Sequence, residues 1–167
     1  MSSCCCGTSP THASQHQCPS CNTPTVSVPA TAPQFLLTKE AKYRFDQSFK
    51  WFACTNPDCV TLYVDSENRQ RFQVSDAKRT IWFKNGSEPK IACYCNRISF
   101  NAVHVAVQEN GLTSWKEIVL KYRQQATCKC DCLNPLGVCC TEVFYGEINK
   151  ALKALGKEPV SIPDSCC

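Results

Sequence analysis

The chain has 167 residues, enough for one domain or two small ones, and sixteen of them are cysteine. Its net charge of +4 comes with no basic run of five or six residues and no basic–aromatic interleaving, so no nucleic-acid partner is expected. The longest apolar stretches, such as CVTLYV at 59–64, fall far short of the ~20 residues a membrane span requires, so no membrane insertion is expected.

Residues 1–16 read as a flexible polar tail carrying Cys4, Cys5 and Cys6. No basic start followed by an apolar run is present there, so no secretory leader and a cytoplasmic location are expected. A reducing compartment keeps thiols free, which favours metal binding over a disulfide scaffold.

Residues 17–90 read as a β-rich domain. Within it TPTVSVPATAPQ, 23–34, holds three prolines and is expected to be extended or loop rather than helix. From 43 to 83 the chain turns aromatic and β-branched, as in YRFDQSFKWFAC, CVTLYVD, RFQVS and RTIWF. Turn sequences NPD, DSEN and SDAK lie between, and together these predict a small antiparallel sheet.

Residues 91–158 read as a helical domain of three helices. Ser99 caps the first, whose apolar face is Phe100, Val103, Ala106 and Val107, stopped by Asn110-Gly111. Ser114 and Glu117 form a capping box on the second, which buries Trp115, Ile118, Val119 and Tyr122. The third runs from Thr141 to Leu155, with Val143, Phe144, Ile148, Ala151, Leu152 and Leu155 on one stripe and Gly156 after it. These stripes are read as core packing. Residues 159–167 form a second tail with Cys166 and Cys167. Neither half is large enough to rest on apolar burial alone, which is where bound metal contributes folding energy.

Cys18 and Cys21 form CxxC in CPSC, and Cys54 and Cys59 form CxxxxC in CTNPDC. Two tight thiolate pairs on separate turns close a tetrahedron around zinc, and four protein ligands leave no open position, so the site is structural. A redox dithiol is the alternative, but no helix is expected after Cys21. His12 and His16 are read as solvated bystanders of the tail and His104 as an ordinary helix residue.

The second set is Cys93 and Cys95 in CYC, before the first helix, and five cysteines in CKCDCLNPLGVCC, 128–140, before the third. Were the two loops to meet at one end of a bundle, two thiolates from each would suit a two-iron, two-sulfide cluster; spacing alone leaves zinc equally open. Four thiolates on one zinc, or on an oxidised two-iron core, carry about −2, so two such sites would cancel the formal +4.

CYCNRIS, two helices, a cysteine loop and a third helix resemble the bacterioferritin-associated-ferredoxin type of [2Fe-2S] domain. More specifically, KIACYCNRIS with CLNPLGVCC, preceded by the CxxC and CxxxxC region, resembles the N-terminal domain of CopZ-type copper chaperones over roughly residues 17–156. The resemblance implies an α+β fold: a small zinc-stabilised antiparallel β region followed by a three-helix [2Fe-2S] domain. It implies zinc on Cys18, Cys21, Cys54 and Cys59 and the cluster on Cys93, Cys95, Cys130 and Cys140, with Cys128 and Cys132 supernumerary and Cys139 the alternative to Cys140. The separate MxCxxC metal-transfer domain of some members has no counterpart here, where the single methionine is the first residue.

The expected function is that of a metallochaperone-like protein. The tail cysteines hold a soft metal ion, Cu+ or Hg2+, for a metal transporter or reductase, and the cluster passes single electrons. No catalytic constellation is visible, so the chain is not expected to be an enzyme. The alternatives are a ferredoxin-like electron carrier without metal delivery and a zinc-only interaction module.

Overall fold

The computed structural model describes residues 16–164; Cys4, Cys5, Cys6, His12, Cys166 and Cys167 lie outside them. The described residues divide into two compact units. One takes the residues up to Glu88 together with Asp131–Val138, and the other takes Pro89–Cys130 and the residues from Cys139 on.

The first unit is built on a four-stranded antiparallel sheet in the order β1 (Val26–Val28), β2 (Trp51–Ala53), β3 (Thr61–Asp65) and β4 (Arg71–Gln73). Its register pairs Val28 with Trp51, Ala53 with Tyr63, and Val64 with Arg71. β3 is buried at all five positions, so no polar–apolar alternation survives in it. The β3–β4 turn closes on Asp65, whose carboxylate accepts from Glu67 N at 2.6 Å, from Arg69 N at 3.3 Å and from Gln70 N. Val28, Leu36, Leu37, Trp51, Leu62, Tyr63, Phe72 and Ile81 form the core.

Two short helices join β1 to β2: α1 (Thr31–Leu36) and α2 (Lys39–Lys42). The first corrects the expectation of an extended segment. Pro33 is the third residue of α1, where its missing N–H is one of the four that a helix leaves unpaired anyway, so the ring breaks no bond. Thr38 caps α2 by accepting from Ala41 N. RTIWF, expected as strand, is irregular, although Ile81 is fully buried.

The second unit opens with a hairpin, β5 (Ile91–Cys93) against β6 (Ile98–Ser99), whose turn places Arg97 at φ +54°. α3 (Phe100–Asn110) follows, capped by Ser99 and ended by Gly111 in the left-handed region. α4 (Trp115–Tyr122) carries the reciprocal bonds of a capping box, Glu117 N to Ser114 Oγ and Ser114 N to Glu117 Oε2. A single turn, α5 (Cys130–Leu133), whose residues from Asp131 on belong to the first unit, precedes α6 (Thr141–Ala154). Ile98, Val103, Val107, Ile118, Val119, Phe144, Ile148 and Leu152 make this unit's core. Leu155 does not join the stripe: α6 ends one residue before it and it is exposed. His104 has a definite partner, with Nε2 2.9 Å from Oε2 of buried Glu147, which ties α3 to α6. The chain thus mixes helices with antiparallel sheet, with six α-helices among the described residues.

Candidate metal centres

Two turns of the first unit carry the first thiol set. Cys18 and Cys21 lie on a tight turn ahead of β1, closed by Cys18 N to Thr23 O at 2.9 Å and Asn22 N to Cys18 O at 2.8 Å. Asn22 takes φ +56°, a conformation asparagine tolerates better than most residues. Cys54 directly follows β2 and is tied to β3 by its N–H to Leu62 O at 2.9 Å. Between Cys54 and Cys59, Asn56 Oδ1 accepts from Asp58 N at 3.0 Å and Asn56 O from Cys59 N at 3.2 Å, folding TNPD back on itself.

These turns bring the four Sγ atoms within 4.8 Å of one another. Cys21 is 3.6 Å from Cys54, and Cys18 is 3.9 Å from Cys59. Zinc–thiolate bonds of about 2.3 Å at tetrahedral angles put sulfurs about 3.8 Å apart, so the cage has the size of a closed four-thiolate zinc site. Cys18 and Cys54 are wholly buried and Cys21 is half-buried, so the cage has an inner and an outer side. The Thr23 hydroxyl and backbone pull the Cys21 thiol down to about 6, while burial pushes the Cys54 thiol up. His16, read as a solvated bystander, is instead built into the fold: its ring stacks on Phe52 at 4.4 Å and Nδ1 meets Thr25 Oγ1 at 3.1 Å.

The second unit gathers the second set. Cys93 closes β5 and Cys95 sits in the turn after it. Asn96 clamps the incoming loop with both ends of its amide, Nδ2 donating to Thr127 O at 2.8 Å and Oδ1 accepting from Thr127 N at 2.9 Å. Arg123 braces the same turn through Nε to Asn96 O at 2.7 Å. Cys130 thereby reaches Cys95, Sγ to Sγ 3.5 Å. Cys93 lies against Cys140 and Cys95, and Cys130 against Cys139 and Cys140 as well. N–H groups point at these sulfurs, among them Asn96 Nδ2 at 3.4 Å from Cys93 and Lys129 N at 3.2 Å from Cys95.

The thiols of this set share their protons unequally. Contact with Cys140, then Cys95, holds Cys93 far below the usual thiol range, whereas Cys130, Cys93 and burial push Cys95 up. Cys130 is lowered, because Cys140 and Cys95 together outweigh the upward effect of Cys139. The set is wider than the first, which is the one group of three or more metal-ligating side chains among the described residues to fit within 4.8 Å. Of the other loop cysteines, Cys139 meets Thr141 Oγ1 at 2.9 Å, Cys128 is disulfide-bonded, and Cys132 packs with the first unit beside the Asp131 carboxylate at 3.5 Å.

Residues 15–78 match the family model of a zinc binding domain, the CopZ zinc-binding type. The segment is CopZ-like. The matched span holds all four thiols of the tetrahedral cage. Over 86% of this chain and 99% of the other, the fold is similar to the X-ray structure of the Archaeoglobus fulgidus CopZ N-terminal domain, with a TM-score of 0.59 and 22% sequence identity. At that identity the likeness speaks to the fold. No curated protein matches the sequence. Among the described residues, no helix is long and apolar enough to cross a membrane.

Asn96, Thr23 and Lys84, whose ammonium is buried beside the Cys54–Cys59 turn, were not singled out from the sequence. Asn96 follows CYC directly, a position from which a side-chain amide can reach back to the hairpin. Lys84 lies twenty-five residues past Cys59 with no pattern to link them.

Proposed function

We propose that the chain is a CopZ-like metallochaperone component with zinc in the first unit and a [2Fe-2S] cluster in the second. The observation that carries the reading is the pair of thiolate sets of different size. The first fits one tetrahedral ion at every distance given above, which makes it a folding site with no open coordination position. In the second, Cys93, Cys95, Cys130 and Cys140 would hold the cluster. Their wider spread, with a close pair at 3.5 Å, suits two metal atoms better than one. When bound, a [2Fe-2S] cluster takes up and releases one electron at a time. The chain's own contribution is to donate the Asn96 amide and the Lys129 N–H to the sulfurs, which stabilises added negative charge, and to bury Cys93 and Cys130 away from water.

On this reading the chain is not itself an enzyme. It works in the cytoplasm, binding a soft ion, Cu+ or Hg2+, through the tail cysteines and passing it to a membrane transporter or a reductase, with electrons available from the cluster. The test is metal analysis of anaerobically purified protein together with its visible spectrum before and after dithionite. One zinc and two irons per chain, with red-brown bands that bleach on reduction, are expected. A colourless protein with two zincs would leave a zinc-only scaffold and remove electron transfer from the proposal.

A further inference from the structure

Lys84 is 1% exposed and lies outside every helix and strand of the first unit. Its ammonium donates to three backbone carbonyls: Asn56 O at 2.8 Å, Cys59 O at 2.9 Å and Thr61 O at 2.9 Å. An ammonium has three N–H groups, so these acceptors match its capacity. Their placement is informative. Asn56 and Cys59 belong to the turn that presents the second thiolate pair, and Thr61 begins β3, which anchors that turn. One side chain thus fixes the turn at its middle, at its ligand and at its exit.

Burying a cation is costly unless negative charge lies close by. Carbonyl dipoles supply part of the compensation. A four-thiolate zinc site, with a net charge of about −2, supplies a much larger part. Held at the Cys59 carbonyl, Lys84 is placed where that charge would be felt. We propose that Lys84 is a positioning residue for the zinc site, clamping the Cys54–Cys59 turn and offsetting the charge of the metal–thiolate group.

The inference rests on the zinc reading above, and the two separate cleanly in one experiment. Zinc affinity is measured in the full chain by competition with a chromophoric chelator, for the native protein, Lys84→Met and Lys84→Gln. Alongside, the metal-free and zinc-loaded forms are unfolded with denaturant. Methionine keeps the length and apolar stem but no donor; glutamine keeps donors without charge. Loss of a group that supports a metal's ligands weakens binding by about 10–100-fold, and that loss is expected for Lys84→Met. Lys84→Gln is expected to lie between, since it restores hydrogen bonds but not charge. The zinc-loaded form should lose more stability than the metal-free form. A purely structural lysine would weaken both forms equally and leave zinc affinity unchanged, which would overturn the proposal. Should Lys84→Met fail to fold, Lys84→Gln with native affinity overturns it as well. A native protein that binds no zinc sinks the zinc reading itself; native zinc with unchanged variants sinks only the role of Lys84.

Discussion

The two thiols facing each other at 3.6 Å in the first cage, Cys21 and Cys54, differ sharply in chemistry. Cys21 is half-buried, and the Thr23 hydroxyl and backbone, first among its neighbours, stabilise its thiolate and lower it from 9.0 to about 6. Cys54 is wholly buried and its thiol is pushed up. In metal-free protein at neutral pH, Cys21 should therefore be alkylated by iodoacetamide well before Cys54, and peptide mass mapping would show it. A lowered folded-state value means that the thiolate adds stability above the ordinary thiol value, and that this is lost as pH falls through about 6. The preference should collapse across that window, and bound zinc should protect both residues. Equal labelling of Cys21 and Cys54 at neutral pH would show that Thr23 exerts no such pull. At this scale the cysteines are legible because metal ligation needs pairs at short spacing and the pairs stand in the sequence. Asn96 and Lys84 are not, because they bond mainly to backbone groups of distant segments, and no residue type encodes a backbone group.

At the scale of elements, what could be read depended on whether a segment carried its own boundary signals. α3 and α4 have side-chain caps at their starts, and both lie where Ser99 and Ser114 place them. α1 has no capping side chain and contains a proline, so local signals point away from a helix. Packing of Leu36, within a core that also holds Trp51 and Phe72, decides the matter. β1, β2 and β4 are three residues each, too short to show a two-residue period, and β3 is covered on both faces. The capped helices offer a direct check. Ser114→Ala removes one acceptor and frees Glu117, at a cost of about 1 kcal/mol. It should lower the denaturant midpoint of the unit holding α4, with the zinc content of the other unit unchanged. A midpoint equal to the native one would mean that Trp115 and Ile118 hold α4 without its cap.

For the whole molecule, the segment Asp131–Val138 has the larger consequence. Nothing in CDCLNPLGVCC announces that its middle belongs with the β-rich unit, since the apolar content is slight and the cysteines draw attention to metal. Yet Leu136 packs against that unit's core, Tyr63 donates to Pro135 O at 2.6 Å, and Thr31 donates to Asp131 O at 2.9 Å. Gly137 shows how close the fit is: at φ +67° a Cβ there would stand 2.4 Å from the ring of Pro29. The matched zinc-binding span, 15–78, is thus shorter than the unit that folds around the zinc cage. An excised 15–88 fragment keeps all four cage cysteines and should still bind zinc. It leaves Tyr63 without Pro135 and the core without Leu136. The loss of one buried hydrogen bond and one packed leucine amounts to roughly 2–4 kcal/mol, several degrees of melting temperature for a unit of this size. Calorimetry of the zinc-loaded fragment against the full chain measures the difference. Adding a synthetic 129–140 peptide with serine for each cysteine should restore part of it. A fragment that melts with the full chain's first unit would make 131–138 a bystander, and residues 15–88 would then hold the whole zinc domain.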